Sequence, residues 1–375
     1  MNASPDTPQR IARLTPLPEV HAAVERLAMP VAARGVDLAI AAGRVLAADV
    51  VALGPGLTAA VALRDGWAVR SDLVADAGPY APVPVSAAWV EVGDPLPADT
   101  DAVLAPDAVT SARGVQEAAA SAAPGEGALR AFEGGEGRPL RHAGDFVRAV
   151  DLAAFRAVGV SRVALREPLV LVVSINRQVA SSADAAAPLI ASAVEAAGGR
   201  AHIMRAAAAA GALESALHDG SADAVIAIGG TGQGRGDRAL AVLAAHGTIA
   251  VHGVGIRPGE TAALGDVGGR PVLMLPGRLD AALAAWLLIG GPLLRRLTGA
   301  ASAEASAPAT LARKITSTVG LAEVVLVRRT DAGVEPVAAG VLPVQAIAQA
   351  DGWVLVPPDS EGYPAGAEVE LRPLP

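Results

Sequence analysis

Cysteine is absent from the 375-residue chain, and aromatic residues are scarce, with 4 Trp, 2 Tyr and 3 Phe. Without cysteine there is neither a disulfide framework nor a thiolate metal site, which fits a cytoplasmic compartment. With so few rings, the cores must be packed mainly by Ala, Val and Leu, within a composition that is 52% hydrophobic. Long apolar runs are missing too. The mean hydropathy of +0.42 invites a membrane reading. Yet Ala281–Leu294 is interrupted by Gly290-Gly291-Pro292, and Val50–Leu63 by Gly54-Pro55-Gly56. A spanning helix needs about 20 apolar residues, so no membrane association is expected. Met1-Asn2-Ala3-Ser4-Pro5-Asp6 is not a basic start followed by an apolar run, so no secretory signal is read there. Basic residues are scattered and the net charge is −8, which argues against nucleic-acid binding. The six histidines are spread out, so no histidine metal cluster is expected.

Glycine and proline, by contrast, are plentiful at 41 and 28. The length exceeds one ordinary core, so two to four domains are expected. Residues 9–48 read as helix, short strand, helix, through Val20, Val24 and Leu27 and then Leu38, Ile40, Val45 and Leu46. From about 50 to 137, short apolar runs such as Pro82-Val83-Pro84-Val85 predict a β-rich insertion, with Ser111–Gly127 strand-poor. Residues 1–167 are therefore a mixed N-terminal region.

Between 168 and 300 apolar strands alternate with helices. The strands fall at Leu169–Val173, Ala224–Ile228, Ile249–Val254 and Val272–Leu275; the helices near Asp184–Ala197, Gly211–Leu217, Asp237–Ala245 and Asp280–Leu288. That alternation predicts a doubly wound α/β domain, a parallel sheet covered on both faces. After an Ala/Ser-rich linker, residues 309–375 predict a small β domain.

Four of these strands run at their carboxyl ends into distinctive loops. They are Ser174-Ile175-Asn176-Arg177, the glycine loop Gly229 to Asp237, Arg257-Pro258-Gly259-Glu260, and Pro276-Gly277-Arg278. Open α/β sheets bind ligands at that edge. Glycines bring backbone N–H groups close to an anion. A helix starting near Asp237 adds its positive end, and Arg235, Arg238, Arg257 and Arg278 add charge. The loop has neither a P-loop lysine nor the dinucleotide glycine spacing. Alone it reads equally as a flexible turn with solvated arginines; four loops on one edge favour a site. Asp65, in Arg64-Asp65-Gly66-Trp67-Ala68, reads alone as a turn residue, and Gly93 to Val103 alone reads as a loop leading into a strand.

In this order the motifs resemble the molybdopterin molybdenumtransferase family, which includes the E domain of gephyrin. Its Ser-x-x-Asp-Gly-Tyr-Ala segment matches at Asp65, Gly66 and Ala68, with Trp67 for Tyr. Its Leu-Pro-x-Gly-x-Asp-Ala-Val segment is similar to Leu96–Val103. Its Gly-Gly-Val-Ser-x-Gly-x-x-Asp loop matches at Gly229, Gly230, Gly234 and Asp237. Its Lys-Pro-Gly-Lys-Pro turn resembles Arg257 to Thr261, and its Leu-Pro-Gly-Asn-Pro turn resembles Leu275 to Leu279. Gly43–Ala47, Ala350-Asp351-Gly352 and Ala365-Gly366 also fit, so the resemblance spans nearly the whole chain.

Several positions depart from the pattern. The family's Thr-Gly-Asp-Glu-Leu stands as Ser174 to Gln178, with Asn176 and Arg177 in place of both acids. Arg235 replaces an acid, Gly232 a serine and Glu260 a lysine, while an Asp-x-Asn segment keeps Asp184 but has Ala186. The resemblance implies Mg2+ held partly by such acids, and a divalent cation needs oxygen ligands. Arginine at 177 and 235 opposes a cation and retunes the pocket toward anions, so no residue is assigned as a metal ligand.

The resemblance also implies a homodimer in which Asp65 reaches the central pocket of a partner subunit. Molybdopterin, an anionic pterin, and molybdate would be the substrates, with Asp65 and Asp237 catalytic. Ser174, Asp184, Gly229, Gly230, Gly232, Gly234, Arg235, Arg257, Pro258, Gly259, Pro276 and Gly277 would contact the substrate. The implied activity is insertion of molybdenum into adenylylated molybdopterin. The altered acids keep a second reading open: a non-catalytic molybdopterin carrier, chaperone or regulator serving a molybdoenzyme partner. A nucleotide-dependent enzyme of another kind fits less well, since no ribose-binding acid is evident.

Overall fold

A computed structural model describes residues 9–52, 56–57, 60–129, 132–133, 137–175, 182–205, 209–301 and 306–375. The chain forms two compact units. One comprises Met1–Asp49, His142–Leu152 and Arg162–Pro375; the other comprises Val50–Arg141 and Ala153–Ser161.

The first unit is organised by a six-stranded sheet. Its strands in chain order are β1 (Leu169–Ser174), β2 (Arg200–Arg205), β3 (Ala224–Ile228), β4 (Thr248–His252), β5 (Ala263–Val267) and β6 (Arg270–Leu275). In space they run β2-β1-β3-β6-β5-β4. The first four of that order are parallel, and β5 and β4 are added antiparallel. The sheet is thus mixed, where the sequence predicts parallel strands alone. The segment predicted as the strand Ile249–Val254 is the antiparallel edge strand β4, and β2 and β5 are strands that the apolar pattern does not mark.

Successive strand residues point to opposite faces, and the two cores follow that alternation. Val170 and Val172 of β1 join Ile190 and Val194 of α2 (Ser182–Ala196), Leu283 of α5 (Leu279–Ala285), and Leu293 and Leu297 of α6 (Gly291–Thr298). Leu171 and Val173 turn the other way. They meet Leu213 and Leu217 of α3 (Ala209–His218) and Leu240 and Leu243 of α4 (Ala239–His246). Each fully buried aliphatic side chain is worth roughly 1.5–3 kcal/mol, so both faces contribute heavily. Between α5 and α6 the helix continues through a π-helical turn, Trp286–Gly290, beyond the predicted end at Leu288.

Helix α1 (Leu17–Leu27) lays Leu17, Val20 and Val24 against the first core, at the spacing of one helical face. Pro18 lies in its first turn, where an N–H has no intrahelical partner anyway. The second helix predicted within 9–48 does not form. Asp37 instead caps a short 3-10 turn, Leu38–Ile40, and Val45–Leu46 pair as a strand with Leu165 and Arg166. Tertiary pairing outweighs the local helical spacing there.

Toward the C-terminus, β7 (Ala322–Thr330) pairs antiparallel with Gly333–Ala338 and Gly352–Val356 over a core of Leu311, Val325, Val327, Val354 and Leu371. It also takes the two-residue strand Ile256–Arg257 as a parallel neighbour, which puts Arg257 opposite Glu323.

The second unit is built of short antiparallel strands. Gly66–Val69 pairs with Ala88–Val90 and with Ala102–Leu104. Val115–Ala118 pairs with Val109–Ala112 and Val83–Val85, so Ser111–Gly127 is not strand-poor. Val69, Val74, Ala102, Leu104 and Val109 fill one of its cores. Among the described residues no helix is long and apolar enough to cross a membrane.

Candidate functional site

The carboxyl ends of β1, β3 and β6 lie side by side. The ladder continues past the strands, with the Ile175 N–H donating to Ile228 O at 2.8 Å and the Gly229 N–H to Leu275 O at 2.9 Å. A Cβ on Gly229 would lie 2.7 Å from Ile175 O, and its φ of +101° suits only glycine. A Cβ on Gly277 would lie 3.3 Å from Gly229 Cα, so the loops after β3 and β6 touch. Here Ser174 is buried, and its hydroxyl has no hydrogen-bond partner among the described residues.

The glycine loop is braced from within. The Gly234 N–H donates to Asp237 Oδ2 at 2.9 Å, and the Asp237 N–H to Gly234 O at 3.0 Å. Asp237 therefore spends one carboxylate oxygen inside its own loop, beneath Gly232 and Gly234. Thr231 is buried; its hydroxyl meets that of Thr261 at 3.1 Å, and its carbonyl faces His252 Nε2 at 3.4 Å. Among the described residues, the N–H groups of Thr231 and Gln233 have no hydrogen-bond acceptor.

The helix end expected near Asp237 begins two residues later, at Ala239, and is largely closed. The Ala239 N–H donates to Gly230 O at 3.1 Å, and the Leu240 N–H to Gln9 Oε1 at 2.9 Å. Those two donors are used by the protein itself, which leaves the loop peptides rather than the helix to meet a ligand. Nothing in the sequence singles out Gln9.

The arginines differ from one another. Arg235 is exposed, and no partner is recorded for it among the described residues. Arg257 is half-buried and precedes a cis bond to Pro258. In that turn the Gly259 N–H donates to Glu260 Oε2 at 3.0 Å, so the acid standing at a lysine position closes the turn. Pro258, Gly259 and Pro276 are buried, and Gly277 is half-buried. Arg278 is held by Asp280 through both Nε, at 3.1 Å, and Nη2. That hydrogen bonding raises the arginine's pKa above its ordinary value. Asp280 is itself buried and also accepts the Leu342 N–H at 3.4 Å.

Asp184 lies on α2. Asn176, Arg177 and Gln178 lie outside the described residues. Asp65 belongs to the second unit, where it is exposed and accepts the Val92 N–H at 2.9 Å, the turn role its sequence context allows.

Three family models match in the order of the chain. The MoeA N-terminal region (domains I and II) covers residues 15–159, a probable molybdopterin binding domain covers 170–296, and the MoeA C-terminal region (domain IV) covers 308–374. The chain belongs to the MoeA family of molybdenum cofactor biosynthesis proteins. A crystal structure of a molybdopterin biosynthesis MoeA protein from Pyrococcus horikoshii is 24% identical, with a TM-score of 0.72 over 97% of this chain and all (100%) of that one. A molybdenum cofactor biosynthesis protein from Pyrococcus furiosus is 21% identical, with a TM-score of 0.61 over 96% of this chain and 100% of its own. A protein of Methanocaldococcus jannaschii named for molybdopterin biosynthesis is 30% identical over 164 residues, 43% of this chain and 38% of that relative's length.

The MoeA resemblance brings Mg2+ with it, and the described residues do not fit that ion. Asp237 and Glu260 hold N–H groups of their own loops, and Asp280 holds Arg278. Among the described residues no group of three or more His, Asp or Glu side chains can hold a metal. The Ser174 hydroxyl and the loop N–H groups left unpaired at the strand ends are donors, which suit an anion rather than a cation.

Proposed function

We propose that the protein binds molybdopterin through its phosphate at the carboxyl edge of the six-stranded sheet and acts in molybdenum insertion. The observation that carries this reading is the set of unsatisfied donors at one edge: the buried Ser174 hydroxyl and the Thr231 and Gln233 N–H groups. Buried polar groups are nearly always paired, so the buried Ser174 hydroxyl, unpaired among the described residues and beside open loop N–H groups, favours a ligand there. Arg235 adds charge on the same loop. A homodimer and a transferase step involving Asp65 and Asp237 belong to the same proposal and rest on family membership.

A second reading, a non-catalytic molybdopterin carrier, is favoured by the engagement of Asp237, Glu260 and Asp280 with groups of their own loops, which leaves fewer carboxylate oxygens for Mg2+ among the described residues. One assay separates the two. Purified protein is given adenylylated molybdopterin, molybdate and Mg2+, and formation of molybdenum cofactor is followed. Turnover supports insertion; tight binding without turnover supports the carrier; absence of binding overturns both.

A further inference from the structure

Residues 9 to 15 form a strap along the candidate site. The Thr15 N–H donates to Gly253 O at 2.9 Å and Thr15 O accepts the Gly255 N–H at 2.8 Å, which ties the strap to the segment leading into Arg257. Ile11 packs over Gly253 so closely that a Cβ there would collide with it. At the far end Gln9 reaches the glycine loop, and its carboxamide is fully engaged. Nε2 donates to Gly230 O at 3.0 Å and to Gly232 O at 2.9 Å, while Oε1 accepts the Leu240 N–H at 2.9 Å.

We propose that Gln9 is a positioning residue of the molybdopterin site, fixing the two peptide planes whose N–H groups face the ligand. The proposal deepens the functional reading above and rests on it. A trans peptide unit is planar, so its C=O and N–H point in opposite directions. Drawing the Gly230 and Gly232 carbonyls toward the strap turns the Thr231 and Gln233 N–H groups away from it. Both are among the loop N–H groups that have no acceptor among the described residues. The planes do not depend on Gln9 equally. Gly230 O also accepts the Ala239 N–H, whereas Gly232 O has no other donor among the described residues. Among the described residues the 232–233 peptide is therefore held by Gln9 alone, and the glycine at 232 leaves it free to turn. A preoriented donor binds more tightly because its ordering is complete before the ligand arrives.

The test is titration of purified molybdopterin into the wild type, Gln9→Met and Gln9→Ala, with amide exchange of the loop followed by NMR with and without ligand. Methionine matches the length of glutamine, is uncharged and lacks the amide, so a change in affinity does not come from added charge or lost bulk. Both variants should bind at least tenfold more weakly and lose ligand-induced protection at Gln233 while keeping it at Thr231. A simple structural role would change the melting temperature without that contrast between two neighbouring amides. Binding within twofold of wild type in either variant, or equal loss of protection at both amides, overturns the assignment. No binding by the wild type overturns the functional reading itself and the positioning role with it.

Discussion

The two ends of the six-stranded sheet use their polar groups in opposite ways. At the amino end, Arg270 opens β6 and reaches the end of α3. Its Nη1 donates to the carbonyls of Asp219 and Ala222, and its Nη2 to those of Ala216 and Leu217. The last carbonyls of a helix lack intrahelical partners, and that end carries partial negative charge. One guanidinium meets both needs. At the carboxyl end, within the same sheet, the Ser174 hydroxyl is buried without a partner among the described residues, and several glycine-loop N–H groups, those of Thr231 and Gln233 among them, have no acceptor there. Among the described residues the helix carbonyls at the amino end are met by the protein itself, although the buried Arg270 Nε has no partner, whereas the carboxyl end leaves a buried hydroxyl and loop peptides unmet.

The largest effect should come from breaking the satisfied end. Arg270→Ala leaves the carbonyls of α3 and its following turn without their charged donor. A loss of about 2–3 kcal/mol is expected, the scale of hydrogen bonds to a charged group. Urea unfolding reads it directly. Arg270→Lys should recover only part of the loss, because an ammonium cannot reproduce the planar fork. Molybdopterin affinity of the folded Arg270→Ala protein should stay within twofold of wild type. A parallel fall in affinity and stability would show that the two ends are not separate in role.

Ser174→Ala sharpens the contrast from the other side, with the opposite sign. It removes a buried hydroxyl that has no partner, so stability should hold or rise by up to about 1 kcal/mol. Molybdopterin affinity should fall by about tenfold, equivalent to roughly 1.4 kcal/mol. If urea unfolding instead shows a clear loss of stability, the hydroxyl is structural and the contrast between the ends weakens.

Much of this division was legible in the sequence. Motif order identified the family, and the loops that open the site were marked by Gly229-Gly230, Pro258-Gly259 and Pro276-Gly277 at the ends of apolar runs. The missed elements have physical reasons. Strand β2 reads Arg-Ala-His-Ile-Met-Arg, too polar to announce a sheet strand. Strand β5 carries Gly265 and Asp266, which break the apolar pattern. Yet a Cβ on Gly265 would collide with Thr248 O, so the glycine is what lets β4 approach. From sequence the helix start near Asp237 looks like an open anion site, because no local pattern shows that Gln9, more than two hundred residues away, already holds the Leu240 N–H. Ser174 was singled out by motif alone; that its hydroxyl is buried and unpaired follows from packing, which no local pattern encodes.

The smallest expected effect tests the satisfied end through pH. Asp219 follows α3 and supplies one of the carbonyls that Arg270 holds. Its carboxylate accepts the Ser221 hydroxyl, and also the Ser221 N–H at 2.9 Å. These two bonds, the hydroxyl's being the larger, lower its pKa from the ordinary 3.8, and Arg270 and His202 add weaker attraction. A carboxyl with a depressed folded pKa binds protons less readily than the unfolded chain. Its stabilisation is therefore complete above the unfolded value of about 3.9 and disappears as pH falls through the folded value. Asp219→Asn keeps an acceptor for Ser221 but does not titrate. Between pH 6 and pH 3 the urea midpoint of the variant should fall slightly less than that of the wild type. Since the Asp219 side chain is only half-buried and screened by solvent, the difference should be far smaller than the effect of Arg270→Ala. Identical pH profiles would mean that the turn after α3 is held by Arg270 without help from the carboxylate charge, which would concentrate the amino end's stability in one guanidinium.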